Sequence, residues 1–265
     1  MSALTIKVID KNGDVKKSHQ GDDYLSLSYF EEYQLGDAIV VETEQYPIDL
    51  VVQFDETLAP SQVYLTESTL KFTIPMETNA KQAYSPKAFS GKMHQLSVRK
   101  AHQEEVEAYR NIALNPHDQN GVSGIYPHAV ANVETRNDST FFARNAIDGM
   151  IANEDHGPYP YQSWGINQQK DAEITIEFGR LVEIDKIQIV LRGDYPHDSY
   201  WTQVTFECSD GTETKLSLEK VLHPQPFTFE TKQVEWVKLK ELIKAEDESP
   251  FPALTELEVF GRPVK

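Results

Sequence analysis

Cysteine is nearly absent. Cys208 stands alone among 265 residues, so no disulfide closes within the chain. It follows Val204 and Phe206 on one alternating face, which marks a buried, inert thiol and not a nucleophile. No apolar run approaches the length needed to cross a bilayer as a helix. The opening MSALTIKVID lacks a basic region followed by a long apolar one. No secretory signal is read there, and a cytoplasmic setting is the expectation. Basic charge is short as well. With 25 Lys and Arg against 42 Asp and Glu, the net charge is −17. Such a surface repels nucleic acid and anionic membranes, so neither is expected as a partner, whereas a neutral ligand meets no such barrier. Nor is there a Gly-rich phosphate loop, a Rossmann fingerprint, a GxSxG elbow, or HExxH or CxxC spacing.

What the chain has is alternation. Hydrophobic residues make up 39% and charged residues 25%, the balance of a folded globular protein. Leu4, Ile6 and Val8 share one face up to a turn at Lys11-Asn12-Gly13-Asp14. Short strands follow around Leu25 to Tyr29, 38–43, 48–54, Val63 and Leu65, 70–74 and 93–98. Short strands with turns between them predict a β-sandwich. Residues 101–113, AHQEEVEAYRNIA, change character. Helix formers predominate, acids lead and Arg110 follows, so a short helix is predicted, ended by Asn115-Pro116. After a loop-like stretch, strands return at 173–178, 184–191, 203–208, Leu216 and Leu218, Phe227 and Phe229, 234–239 and 254–260. The hairpin turn Ser209-Asp210-Gly211-Thr212 joins two of them. A faint echo between residues 48–65 and 173–191 suggests similar architecture in both halves. The predicted fold is all-β. Two jelly-roll-like β-sandwich domains, 1–100 and 116–265, are joined by a helical linker at 101–115.

The motifs of the second half come in a definite order. Residues 143–149 read ARNAIDG, then Gln162-Ser163-Trp164, then ITIEFG at 174–179 and the strand at 184–191. The strand from Val204 ends in Ser-Asp-Gly, 235–239 follows, and LTELEVFG closes at 254–261. In order and spacing this resembles the discoidin-like, or coagulation factor 5/8 type C, domains of the galactose-binding jelly-roll fold. The resemblance covers roughly the last half to three-fifths of the chain; the first region shows no comparable match. It implies a non-catalytic binding module, in many members for carbohydrate and in some for lipid or protein, with ligand loops at one end of the sandwich. It also implies a structural Ca²⁺ beside the Asp-Gly turn, for which Asp148 and Glu256 are the hard ligands. The chain departs from the family there: Met150, Ile151 and Ala152 stand where small polar residues are usual.

Two loops carry chemistry suited to a sugar, which offers an apolar C–H face and a ring of hydroxyls. The first runs through His156, Tyr159 and Tyr161. The second, long for a hairpin, holds Arg192, Asp194, Tyr195, His197, Asp198 and Trp201. His156, Arg192, Asp194, His197 and Asp198 are the expected hydrogen-bonding groups. Tyr161, Tyr195 or Trp201 is the expected stacking platform. In the plainer structural reading, Pro and Gly fix the loop, Tyr195 and Trp201 pack beneath it and Asp198 caps a turn. The expected partner is a carbohydrate, and the function a non-catalytic carbohydrate-binding protein. An alternative is a sugar-acting enzyme (hydrolase, lyase or isomerase) using the same loops. In a metal-dependent version His128, His156 and His197 join Asp194 or Asp198 around a transition metal. A third reading is an interaction protein, and the sequence leaves a homo-oligomer open.

Overall fold

The computed structural model describes residues 4–194 and 199–264. The first half contains β1 (Leu4–Ile9), β2 (Val15–Gly21), β3 (Tyr24–Tyr29), β4 (Ala38–Thr43), β5 (Ile48–Gln53), β6 (Ser61–Leu65) and β7 (Thr69–Thr73). A single-turn helix α1 (Thr78–Lys81) and β8 (His94–Lys100) complete it. Two antiparallel sheets result, β2-β1-β4-β7 and one that includes β6-β5-β8-β3. The period of two sends Leu4, Ile6 and Val8 inward, against Val41, Leu50, Leu65 and Phe72. At the first turn Asp10 Oδ1 accepts the N–H groups of Asn12 and Asp14, at 2.8 and 2.9 Å. Gly13 supplies the positive φ that turn needs. Sequence patterning does not show β2. Its residues VKKSHQG are largely exposed, and backbone pairing to β1 holds the strand at the sheet edge.

The predicted helix at 101–113 shrinks to α2 (Gln103–Glu107), where the Glu105 carboxylate accepts His102 N–H at 2.8 Å. Helix propensity loses to pairing. At β9 (Arg110–Asn111) the chain joins the second half's sheet. The loop-like stretch that follows also forms ladders. β10 (Ile125–Tyr126) adds to β6, and Ile125 lies in the first core, although it falls within the range expected for the second domain. β11 (His128–Ala131) pairs in the second half.

That half is built from β12 (Trp164–Gly165), β13 (Ile174–Leu191), β14 (Trp201–Cys208), β15 (Glu213–Ser217), β16 (Gln225–Lys244) and β17 (Ala253–Pro263), in the order β12-β17-β13-β16-β14-β15. β13 and β16 are each one long strand where the pattern suggests two. Bulges explain the difference: register shifts between Glu177 and Val182, and between Ile184 and Lys186, break the alternation. Ile176, Ile187, Trp164, Trp201, Leu239 and Leu257 meet in the second core, with Cys208 buried among them.

The cores are stitched along a seam. Arg180 binds Asp49 through two nitrogens, at 2.6 and 2.8 Å. His117 is buried against Phe54, accepts the Phe54 N–H on Nε2 at 3.2 Å, and meets Ser61 Oγ through Nδ1 at 2.9 Å. Burial, with Arg144 nearby, pushes its pKa down to about 3. The folded protein therefore keeps His117 neutral where the unfolded chain takes up a proton. Stability tied to His117 is complete above about pH 6.5 and is lost as pH falls below it. We expect about 2 kcal/mol of wild-type stability to vanish between pH 6.5 and pH 5 on this account. His117→Gln is less stable at neutral pH but lacks this loss. Urea melts of both proteins should show the gap between them narrowing at pH 5; an unchanged gap contradicts the assignment.

Candidate functional site

Three neighbouring strands assemble the site. Trp164 of β12 faces Leu254 of β17, and Leu254 faces Leu191 of β13. Residues just past these strand ends, at 166–167, 248–252 and 192–194, therefore share one end of the sandwich. Asn153 fixes the exit from β13. Its Nδ2 donates to the carbonyls of Leu191 and Leu222, at 2.7 and 2.8 Å, and its own carbonyl accepts Gly193 N–H at 2.8 Å.

Arg192 is buried at this exit. Its Nε lies 2.5 Å from Asp194 Oδ1, and Nη2 donates to the Phe251 carbonyl at 2.6 Å. Asp194, also buried, bonds His156 Nδ1 through Oδ2. One carboxylate thus orients a guanidinium and an imidazole together, and pairing the buried charges avoids the cost of leaving either alone. His156 and Arg192 line a cleft of about 370 Å³, shared with Thr135, Arg136, Asn167 and Phe251. Phe251, between two prolines, is 43% exposed, an apolar ring beside hydrogen-bonding groups. The backbone is strained around this cleft. Of the six non-glycine residues with positive φ among those described, four are Arg136, Asn137, Asn167 and Gln168. Such conformations persist where surrounding structure enforces them, and they gather at binding sites.

The structure thus unites His156, Arg192 and Asp194. It separates others. Trp201 is not a platform: it is 1% exposed and packs in the core, 6.3 Å from Trp164 between ring centroids. A large aromatic at the start of an alternating strand gains more from burial than from display. Tyr159 and Tyr161 are half-buried and do not line the cleft. Tyr159 N–H donates to the Gln82 carbonyl at 2.8 Å, so this loop leans on the first half. Tyr195, His197 and Asp198 lie outside the described residues. The three-histidine site does not form, because His128 pairs with Glu177, towards the other end of β13 from His156, and bonds Asp118 at 2.6 Å. Sequence reasoning missed Phe251, Arg136 and Asn167. The one signal for Phe251 was an aromatic held between prolines in an aperiodic stretch.

Two metal readings remain. Asp155, His156 and Asp194 bring three ligand atoms within 4.8 Å of one another, but the Arg192 guanidinium already occupies Asp194. The calcium implied by the resemblance fits poorly. Asp148 accepts Met150 N–H at 2.9 Å and Gln162 Nε2 at 2.8 Å, and Glu256 accepts Gly149 N–H. Buried Arg144 stands 3.8 Å from Asp148 and supplies the positive charge itself. Burial pushes Asp148 up to about 6, and burial with Asp148 beside it pushes Glu256 upward. A guanidinium there repels a dication, so these residues form a buried acid pair held by Arg144. Millimolar Ca²⁺ or EDTA should move the melting temperature by less than about 1 °C; a rise of several degrees with Ca²⁺ would show that the ion binds.

No family model and no curated protein matches this chain. Solved structures do. Chitosan-binding module 1 from a chitosanase/glucanase of Paenibacillus sp. IK-5 is 18% identical, covers 57% of this chain and 98% of its own, and has a TM-score of 0.39. The family 32 carbohydrate-binding module of C. perfringens NanJ, in complex with galactose, is 20% identical over 50% of this chain and 91% of its own, at 0.38. The lectin binding domain of Lectinolysin, complexed with Lewis b, is 17% identical over 60% and 99%, at 0.40. The first two are carbohydrate-binding modules and the third is a domain of a lectin-like protein.

Proposed function

We propose that this protein is a non-catalytic carbohydrate-binding protein, and that its sugar sits in the cleft over Arg192 and His156. One observation carries the reading: a buried Arg192–Asp194 pair, with the exposed His156 held on Asp194, lies beside an exposed Phe251 ring. This array offers fixed donors to hydroxyls, and the ring offers a face to C–H groups. Arg192 and Asp194 cancel in charge, as do Arg136 and Glu248 in the lining, so a neutral sugar suits the cleft. A glycan array followed by calorimetry tests this. Saturable binding of a neutral sugar is the expected result, and failure of the folded protein to bind any sugar sinks the proposal.

A second reading, a sugar-acting enzyme, draws on the ligand atoms of Asp155, His156 and Asp194. Elemental analysis decides its metal-dependent form: stoichiometric transition metal that survives dialysis supports it, and none removes it.

A further inference from the structure

A second polar site lies on the seam between the cores, away from the cleft. There a cavity of about 20 Å³ is lined by Gln62 and Tyr64 of β6, Arg110 of β9, Tyr126 of β10 and Arg180 of β13. It holds two guanidiniums, and Asp49 is the carboxylate beside them. That carboxylate is already saturated. Both of its oxygens take Arg180 nitrogens, and Oδ1 also accepts Gln62 Nε2 at 3.1 Å. Arg180 is further fixed over the Tyr64 ring, 4.1 Å from its centroid. Arg110 therefore shares its nearby acids, Asp49 and Glu105, with Arg180 and Arg99. Its Nη1 donates to the Asn111 carbonyl at 3.2 Å, but its buried Nε finds no acceptor among the described residues. Burial and the neighbouring Arg180 both disfavour the charge on Arg110. The next acid, Glu105, is bound to Arg99 at 2.5 Å.

Arg110 is half-buried, but its Nε–H is shut off from water, and an unused buried donor on a cation is costly. In a chain of net charge −17 the cluster is a conspicuous local excess of the opposite sign. We propose that the seam cavity is a binding site for a small inorganic anion, chloride in size, held by Arg110 with Arg180 behind it. A cavity of this volume admits roughly one water-sized sphere, which suits a monatomic anion better than a phosphate or a carboxylate. Charge separates the ion from a water molecule, which would satisfy Nε but leave Arg99, Arg110 and Arg180 facing only the two carboxylates of Asp49 and Glu105. The walls come from β6 in one sheet and from β9 and β13 in another, so the ion would pin the cores together.

Thermal melts at equal ionic strength of about 0.15 M, in sodium chloride and in sodium gluconate, test the site. The wild type should melt about 3 °C higher in chloride. Arg110→Met, which keeps the apolar stem, should lose that difference. Chlorine-35 NMR gives a second readout that needs only the wild type. Excess line broadening should appear and be displaced saturably by bromide. The same chloride difference in wild type and Arg110→Met, or no bromide-sensitive broadening, would mean that water alone occupies the cavity and would overturn the proposal. Should Arg110→Met fail to fold, the bromide titration of the wild type decides by itself.

Discussion

Arg192→Met is expected to abolish sugar binding, with affinity falling at least about 100-fold, and to destabilise the protein. The substitution leaves Asp194 buried without its guanidinium. Breaking a buried ion pair from one side costs about 3–5 kcal/mol, because the remaining charge has nothing to offset its lost hydration. Asp194 is also the group that orients His156, so the imidazole loses its anchor together with the donor. The two effects separate in the double variant Arg192→Met, Asp194→Leu. Removing both charges should recover most of the stability, since apolar replacement of a whole buried pair is close to neutral. It should not recover binding. Urea denaturation and calorimetry on the single and double variants measure both. A double variant that binds like the wild type would show that the array is structural only.

Trp201→Ala should have a large effect on stability and almost none on affinity. Trp201 is packed beside Trp164 beneath the cleft, and truncation of such a residue costs about 3–5 kcal/mol. In a chain of this length that corresponds to a melting temperature lower by roughly 6–20 °C. Well below that temperature the folded variant should bind its sugar within about twofold of the wild type, since Trp201 does not line the cleft. A near-native melt with a large loss of affinity would restore Trp201 as a platform.

The strands with one buried face were legible in the sequence because a period of two is visible wherever burial alternates, as in 4–9 and 174–178. β2 was not, since an exposed edge strand needs only backbone partners. The helix at 101–113 was overread because local propensity cannot foresee that Asn111 will pair with Phe260. The same limit applies to the site. His156, Arg192 and Asp194 stood out by type, and their convergence follows from strand neighbours far apart in sequence. Trp201 and Phe251 were the reverse of expectation. The residue that resembled a platform begins a strand and turns inward, and the residue in an unremarkable Pro-rich stretch is the exposed ring.

The central claim is that the sugar lies against Phe251 over the Arg192–Asp194–His156 array. Calorimetry of Phe251→Ala with the sugar identified on the array tests it most directly. Phe251 is half-exposed, so the melting temperature should stay within about 1 °C of the wild type, while loss of the stacking face should weaken binding about tenfold. Unchanged affinity for that sugar in a natively melting Phe251→Ala protein would place the ligand elsewhere.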